Sequence, residues 1–171
     1  MKKLVVAILA FLFFLFACYL APSIKIAGIS PDFVLLLLAA LMPHCGVMTL
    51  LTVAAVLGTA IDTTLSGGLY LNTAIYLVSA AAFGVFRLFM PKIQYISVPL
   101  ALASAVIFKY FISMFALYIL NIHNGLSFLF FIKSVPAVLY NVILVLPFIF
   151  ILEKLFSWKV FRAKEEESFI V

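Results

Sequence analysis

Residues 33–61 read FVLLLLAALMPHCGVMTLLTVAAVLGTAI, and the number of membrane crossings turns on this stretch. As one helix its 29 residues would run about 43 Å at 1.5 Å per residue, too long for one upright crossing of a roughly 30 Å hydrocarbon core. Two full crossings need about 40 residues. Pro43-His44-Cys45-Gly46 interrupts the run near its middle. Proline withholds a backbone donor and glycine turns at little cost, so a tight hairpin of two short helices is expected, over residues 31–42 and 46–61. Helices that short persist in a membrane where neighbouring protein covers their ends.

Outward from this hairpin, the remaining apolar runs are simpler. Residues 4–21, 69–86, 98–120 and 134–152 each hold 18 or more residues, the length a bilayer requires. Hydrophobic residues make up 68% of the 171-residue chain and charged residues 10%, with a mean hydropathy of +1.35. A soluble fold of this size has too little interior to hide so much apolar surface. The expected fold class is therefore an all-α integral membrane protein with six transmembrane helices. It forms one domain over residues 1–156, with a short cytoplasmic tail over 157–171 that carries Trp158 as an interfacial anchor.

Charge placement fixes the expected orientation. With six spans and the N-terminus inside, the cytoplasmic side receives Lys2, Lys3, Arg87, Lys92, Lys154, Lys159, Arg162 and Lys164; the outside receives Lys25 and Lys133, and Lys109 falls within a span. Five spans from the same start reverse that bias, against the positive-inside rule. The net charge of +5 thus sits at helix ends, facing anionic headgroups. No basic face of the kind that nucleic acid needs is present. Met1-Lys2-Lys3 before an apolar run has the look of a secretory signal, but the run continues to Ala21, so a retained first span is expected. Cys18 and Cys45 are 27 residues apart with no CxxC spacing; buried free thiols and no metal site are expected.

Residues that lipid would reject are the functional clues in such a chain. Ser30-Pro31-Asp32 opens the second helix, and a serine cap, a first-turn proline and an acid at the positive end of the helix dipole account for it structurally, ahead of a ligand site. Asp62 lies near the outer end of the third helix, where the dipole disfavours an acid. Two readings stand for it: bonding to the amides of the turn that follows, or pairing with a cation. Lys109 sits near the middle of the fifth span and needs an acid; counting rise along the helices places Asp62 within reach, which predicts an Asp62–Lys109 pair. Asn72 and Asn141 are expected to bond across helices, and Gly58, Gly67, Gly68 and Gly84 to allow close helix approach. His44 and His123 fall in loops on opposite sides. No HExxH, GxSxG, carboxylate pair or phosphate-binding glycine loop appears. Neither an enzyme nor a cofactor is expected.

Three motifs occur in order: Pro31-Asp32 opening a Leu-rich short helix; Gly58-x-x-x-Asp62 followed by Ser66-Gly67-Gly68-Leu69-x-x-Asn72; and Pro136-x-x-Leu139-Tyr140-Asn141. In these motifs, and in length and hydropathy, residues 4–156 resemble the bacterial rod shape-determining protein MreD family. The matching positions are Pro31, Asp32, Gly58, Asp62, Gly67, Asn72, Pro136 and Asn141; Gly68 stands where relatives often vary. The resemblance implies a non-enzymatic component of the inner-membrane assembly that elongates rod-shaped cells. It also implies association with the single-span protein MreC and, through it, with the MreB cytoskeleton and the peptidoglycan synthases. The implied fold is related to the substrate-binding subunits of energy-coupling-factor vitamin transporters. The alternative function is such a transporter subunit, which predicts an outward-facing cavity lined by polar and aromatic groups near Asp62 and Asn141. It predicts, too, a small-residue face on the cytoplasmic half of the first helix, where only Ala7 and Ala10 are small.

Overall fold

The computed structural model describes residues 2–26, 28–65, 70–89, 94–119 and 126–157. Among them six helices follow one another. Helix α1 (Lys2–Leu15) continues through a π-helical stretch, Phe16–Leu20, into a last turn, Ala21–Ser23. Pro22 has no N–H to give, and beside it the Ala21 N–H reaches back five residues to the Phe16 carbonyl. Then come α2 (Phe33–Leu41), α3 (Val47–Leu65), α4 (Leu71–Phe89), α5 (Gln94–Ile119) and α6 (Leu126–Ser157). An isolated bridge between Ile26 and Ile29 closes a tight turn in which Gly28 takes φ +78°, a value that disfavours any side chain.

Four helical segments are long and apolar enough to cross a membrane: Leu4–Ser23, Val47–Leu65, Tyr95–Phe115 and Ser134–Phe156. The apolar segment Leu71–Arg87 is shorter. The chain is a multi-pass, all-α membrane protein. The expected pair of short helices is corrected to a single one. Helix α3 has 19 residues and runs past Asp62, with the hydroxyls of Thr59, Thr63 and Thr64 bonding back to carbonyls three or four residues earlier. The last helix begins at Leu126 rather than near residue 134. The tail beyond Ser157 lies outside the described residues.

Helix α2 is the centre of the molecule. Its sequence, FVLLLLAAL, is apolar on every side, and a helix of that kind must be buried all round. All nine residues are buried, against α1, α3, α4, α5 and α6. Phe13 and Phe16 of α1, Phe33 of α2 and Phe148 of α6 lock together in edge and tilted ring contacts 5.0–6.3 Å apart. By contrast Leu4, Ile8 and Phe11 of α1, Val56 of α3, and Ile143 and Phe150 of α6 face outward, as a lipid-facing surface does.

Lipid tails are as apolar as leucine, so helices associate in a membrane through close packing and polar bonds. The hairpin of α3 and α4 uses both. A Cβ added to Gly58 would lie 2.6 Å from the Thr73 Cα, and one on Gly84 would strike Val47. Glycine is thus required at Gly58 to let the two backbones meet.

Candidate functional site

Polar side chains gather at one end of the bundle, where α1, α3 and α5 finish and α2, α4 and α6 start. Asp62 is fully buried there. Its Oδ1 accepts from the Asn72 amide N–H at 3.3 Å and from the Asn72 side-chain amide at 2.8 Å. Its Oδ2 accepts from the Thr73 N–H at 2.8 Å and the Thr73 hydroxyl at 2.7 Å. The first N–H groups of a helix have no partner within that helix. Asp62 supplies two of those of α4 from the helix before, in the positive end of the α4 dipole. The spacing Gly58-x-x-x-Asp62 now has a physical reason. One turn apart on the same face, the glycine admits Thr73 and the aspartate binds it.

Asp32 is the N-cap of α2, accepting at Oδ1 from the Val34 and Leu35 amides, each at 3.1 Å. The same carboxylate receives the Tyr76 hydroxyl, 3.2 Å from both oxygens, and forms a salt bridge through Oδ2 with Lys109. Lys109 also donates to the Tyr76 oxygen at 3.3 Å. From the other side Asn141 of α6 accepts the Asp32 N–H at 2.9 Å and donates to the Ala137 carbonyl at 2.8 Å. Helices α2, α4, α5 and α6 are therefore joined around one aspartate.

The expected Asp62–Lys109 pair is corrected: the lysine belongs to Asp32. Helix α2 spans only about 14 Å, so its first turn lies deep in the bundle, level with Lys109. Both Asp62 oxygens are meanwhile occupied by α4. Pro31 is buried beside Asp32 and Pro136 is exposed on α6. Gly67, Gly68 and His123 lie outside the described residues. Tyr76 and Thr73 carry no motif, and sequence reasoning passed over them. The available signal was position: Asn72, Tyr76, Ser79 and Phe83 recur at helical spacing on one side of α4, and a tyrosine buried there brings a hydroxyl that needs a partner.

A cavity of about 360 Å³ lies against this cluster. Asp32, Asn72, Tyr76, Lys109, Tyr110 and Asn141 give it polar walls, and Ala17, Phe33, Ile61 and Val106 apolar ones. A second, larger hollow of about 700 Å³ runs along the outside between α1 and α3. It is bordered by Ala7, Ala10, Phe14, Thr52, Val56 and Ala60. At the opposite end of the bundle, Arg87 donates to the Cys45 carbonyl at 2.6 Å, His44 stacks on Phe156 at 4.8 Å and Tyr95 donates to Glu153. These contacts tie the α2–α3 turn to α4 and α6, and α5 to α6. Among the described residues no three His, Cys, Asp or Glu side chains come together as metal ligands, and Cys18 and Cys45 are half-buried and form no disulfide.

No protein-family model matches the chain, and neither curated proteins nor solved structures give a significant match.

Proposed function

We propose that this chain is a non-enzymatic scaffold of the bacterial cell-elongation machinery, as the resemblance to the MreD family implies. In this reading it sits in the inner membrane with both termini in the cytoplasm. It holds an MreC-type single-span partner and, through it, reaches the MreB cytoskeleton and the peptidoglycan synthases. The observation that carries the reading is the hollow between α1 and α3. Two small residues on α1, Ala7 and Ala10, are too sparse for the small-residue face that the transporter alternative predicts. With Ala60 of α3 they still leave room in the hollow for one helix to approach closely, which is what drives helix association in lipid. Its walls offer almost no charge, as a site for an apolar span requires.

The scaffold reading is tested by capturing the tagged full-length chain from its own cells in mild detergent. A single-span partner and wall synthases are expected with the native chain and lost with Ala10→Trp, which fills the hollow, while the bundle keeps its helicity. Cells depleted of the protein that stay rod-shaped would sink the proposal.

One observation favours the second reading, a substrate-binding subunit of a vitamin transporter. The polar and aromatic cavity beside Asp32, Tyr76 and Asn141 is of the kind that reading expects. The same capture separates the two, because ATPase subunits in place of wall synthases would establish the transporter.

A further inference from the structure

The cavity beside Asp32 differs from an ordinary packing defect in the state of its hydrogen-bonding groups. Asp32 has no capacity to spare, since its two oxygens already receive two backbone amides, the Tyr76 hydroxyl and Lys109. Lys109 is different. An ammonium has three donors; two go to Asp32 and Tyr76, and its side chain remains a quarter exposed. Further along the cavity wall, the hydroxyls of Tyr110, Ser113 and Ser30 bond to no described residue. The open groups are thus one N–H and three hydroxyls, with no bare carboxylate among them.

Charge narrows the choice of occupant. The Asp32 and Lys109 charges cancel, and the Asp62 carboxylate lies next to the lining residues Ile61 and Asn72. An anion entering here would meet net negative charge in a poorly screened setting. A cation would find only the hydroxyl oxygens of Tyr110, Ser113 and Ser30 as open acceptors, with no bare carboxylate to replace its hydration. The volume, about 360 Å³, is at the small end of the range for small-molecule sites, and the mixture of apolar walls and a few convergent polar groups is typical of them.

We infer that this cavity is a binding site for a small uncharged molecule that presents carbonyl or hydroxyl oxygens to Lys109, Tyr110 and Ser113 and lays its apolar part against Phe33, Ile61 and Val106. Two sources carry that chemistry: the glyceryl ester region of a neutral lipid, or a water-soluble neutral metabolite. The inference does not depend on the scaffold reading, because partner capture through the α1–α3 hollow stands or falls separately. It shares its cavity with the transporter reading, from which the absence of captured ATPase subunits distinguishes it.

The test is extraction of the full-length protein after purification in detergent and gel filtration, with mass spectrometry of what is released. The native chain is expected to carry close to one uncharged molecule per protein. Recovery in the chloroform phase marks a lipid, and recovery in the aqueous methanol phase a soluble compound. Ser113→Leu intrudes on the cavity without removing any bond made within the protein, and is expected to lower occupancy at least fivefold at unchanged helicity. Tyr110→Phe, which keeps the shape and deletes one open hydroxyl, is expected to lower it two- to fivefold. A native chain that releases nothing in stoichiometric amount, and so holds only water, overturns the inference. An anionic molecule at that stoichiometry overturns it too, as does equal occupancy in native chain and Ser113→Leu.

Discussion

Two aspartates lie at the same end of the bundle and do opposite work. Asp62 is sealed: among the described residues its hydrogen bonds run to the first residues of the next helix, so it closes one hairpin. Asp32 caps its own helix and also gathers α4, α5 and α6 around it, at the edge of a cavity. A carboxylate with four good donors needs no counter-charge. One that faces open space keeps a lysine. The local supply of N–H and O–H groups, then, decides which acid pairs with a cation.

The contrast is broken most forcefully at Asp62. Asp62→Ala leaves four half-buried donors without that acceptor and is expected to destabilise the bundle by about 4 kcal/mol. The measurement is reversible unfolding of the full chain in mixed micelles on titration with sodium dodecyl sulfate. A loss under about 1 kcal/mol would mean that water or other groups already serve those donors.

Lys109→Met strands the Asp32 charge and is expected to cost about 3 kcal/mol in the same assay. Its sharper use is in paired cycles. Lys109→Met with Asp32→Asn should show a coupling of about 1.5 kcal/mol or more, and Lys109→Met with Asp62→Asn should be additive within about 0.5 kcal/mol. The reverse ordering would return the lysine to Asp62.

Gly58→Val tests the approach that lets Asp62 reach Thr73. An added side chain strikes the α4 backbone, with an expected loss of about 2 kcal/mol and a new disorder in the Thr73 amide signal by hydrogen exchange. The smallest effect belongs to Tyr76→Phe. It removes one hydroxyl shared between Asp32 and Lys109 and should cost about 1 kcal/mol, with the Asp32–Lys109 coupling rising as the pair loses its third member.

Much of this architecture was legible in the residues themselves. The all-apolar run of α2 demanded burial, the Pro43–Gly46 break gave the hairpin, and the rejected polar residues Asp32, Asp62, Asn72, Lys109 and Asn141 all contribute to the polar end. The partner of Lys109 was not legible. Rise along a helix gives depth only when the helix starts at the membrane surface, and α2 starts inside. Nor could the threonine-supported extension of α3 to Leu65 be read from composition, since Thr63 and Thr64 before a glycine pair equally suit a turn. Tyr76 escaped notice because a tyrosine in an apolar run is unremarkable until its hydroxyl has a neighbour.

The central helix also bears on how the chain is made. Nine residues cannot bridge a translocon's lateral exit into lipid in the way a full span does, and α2 has no polar face with which to wait in water. Ribosomal synthesis delivers its neighbours in order, α3 to α6, and Asn141, which accepts the Asp32 amide, arrives last. The bundle therefore closes only near the end of translation. Until then α2 lacks the α6 side of its packing and the Asn141 acceptor for the amide at its cap.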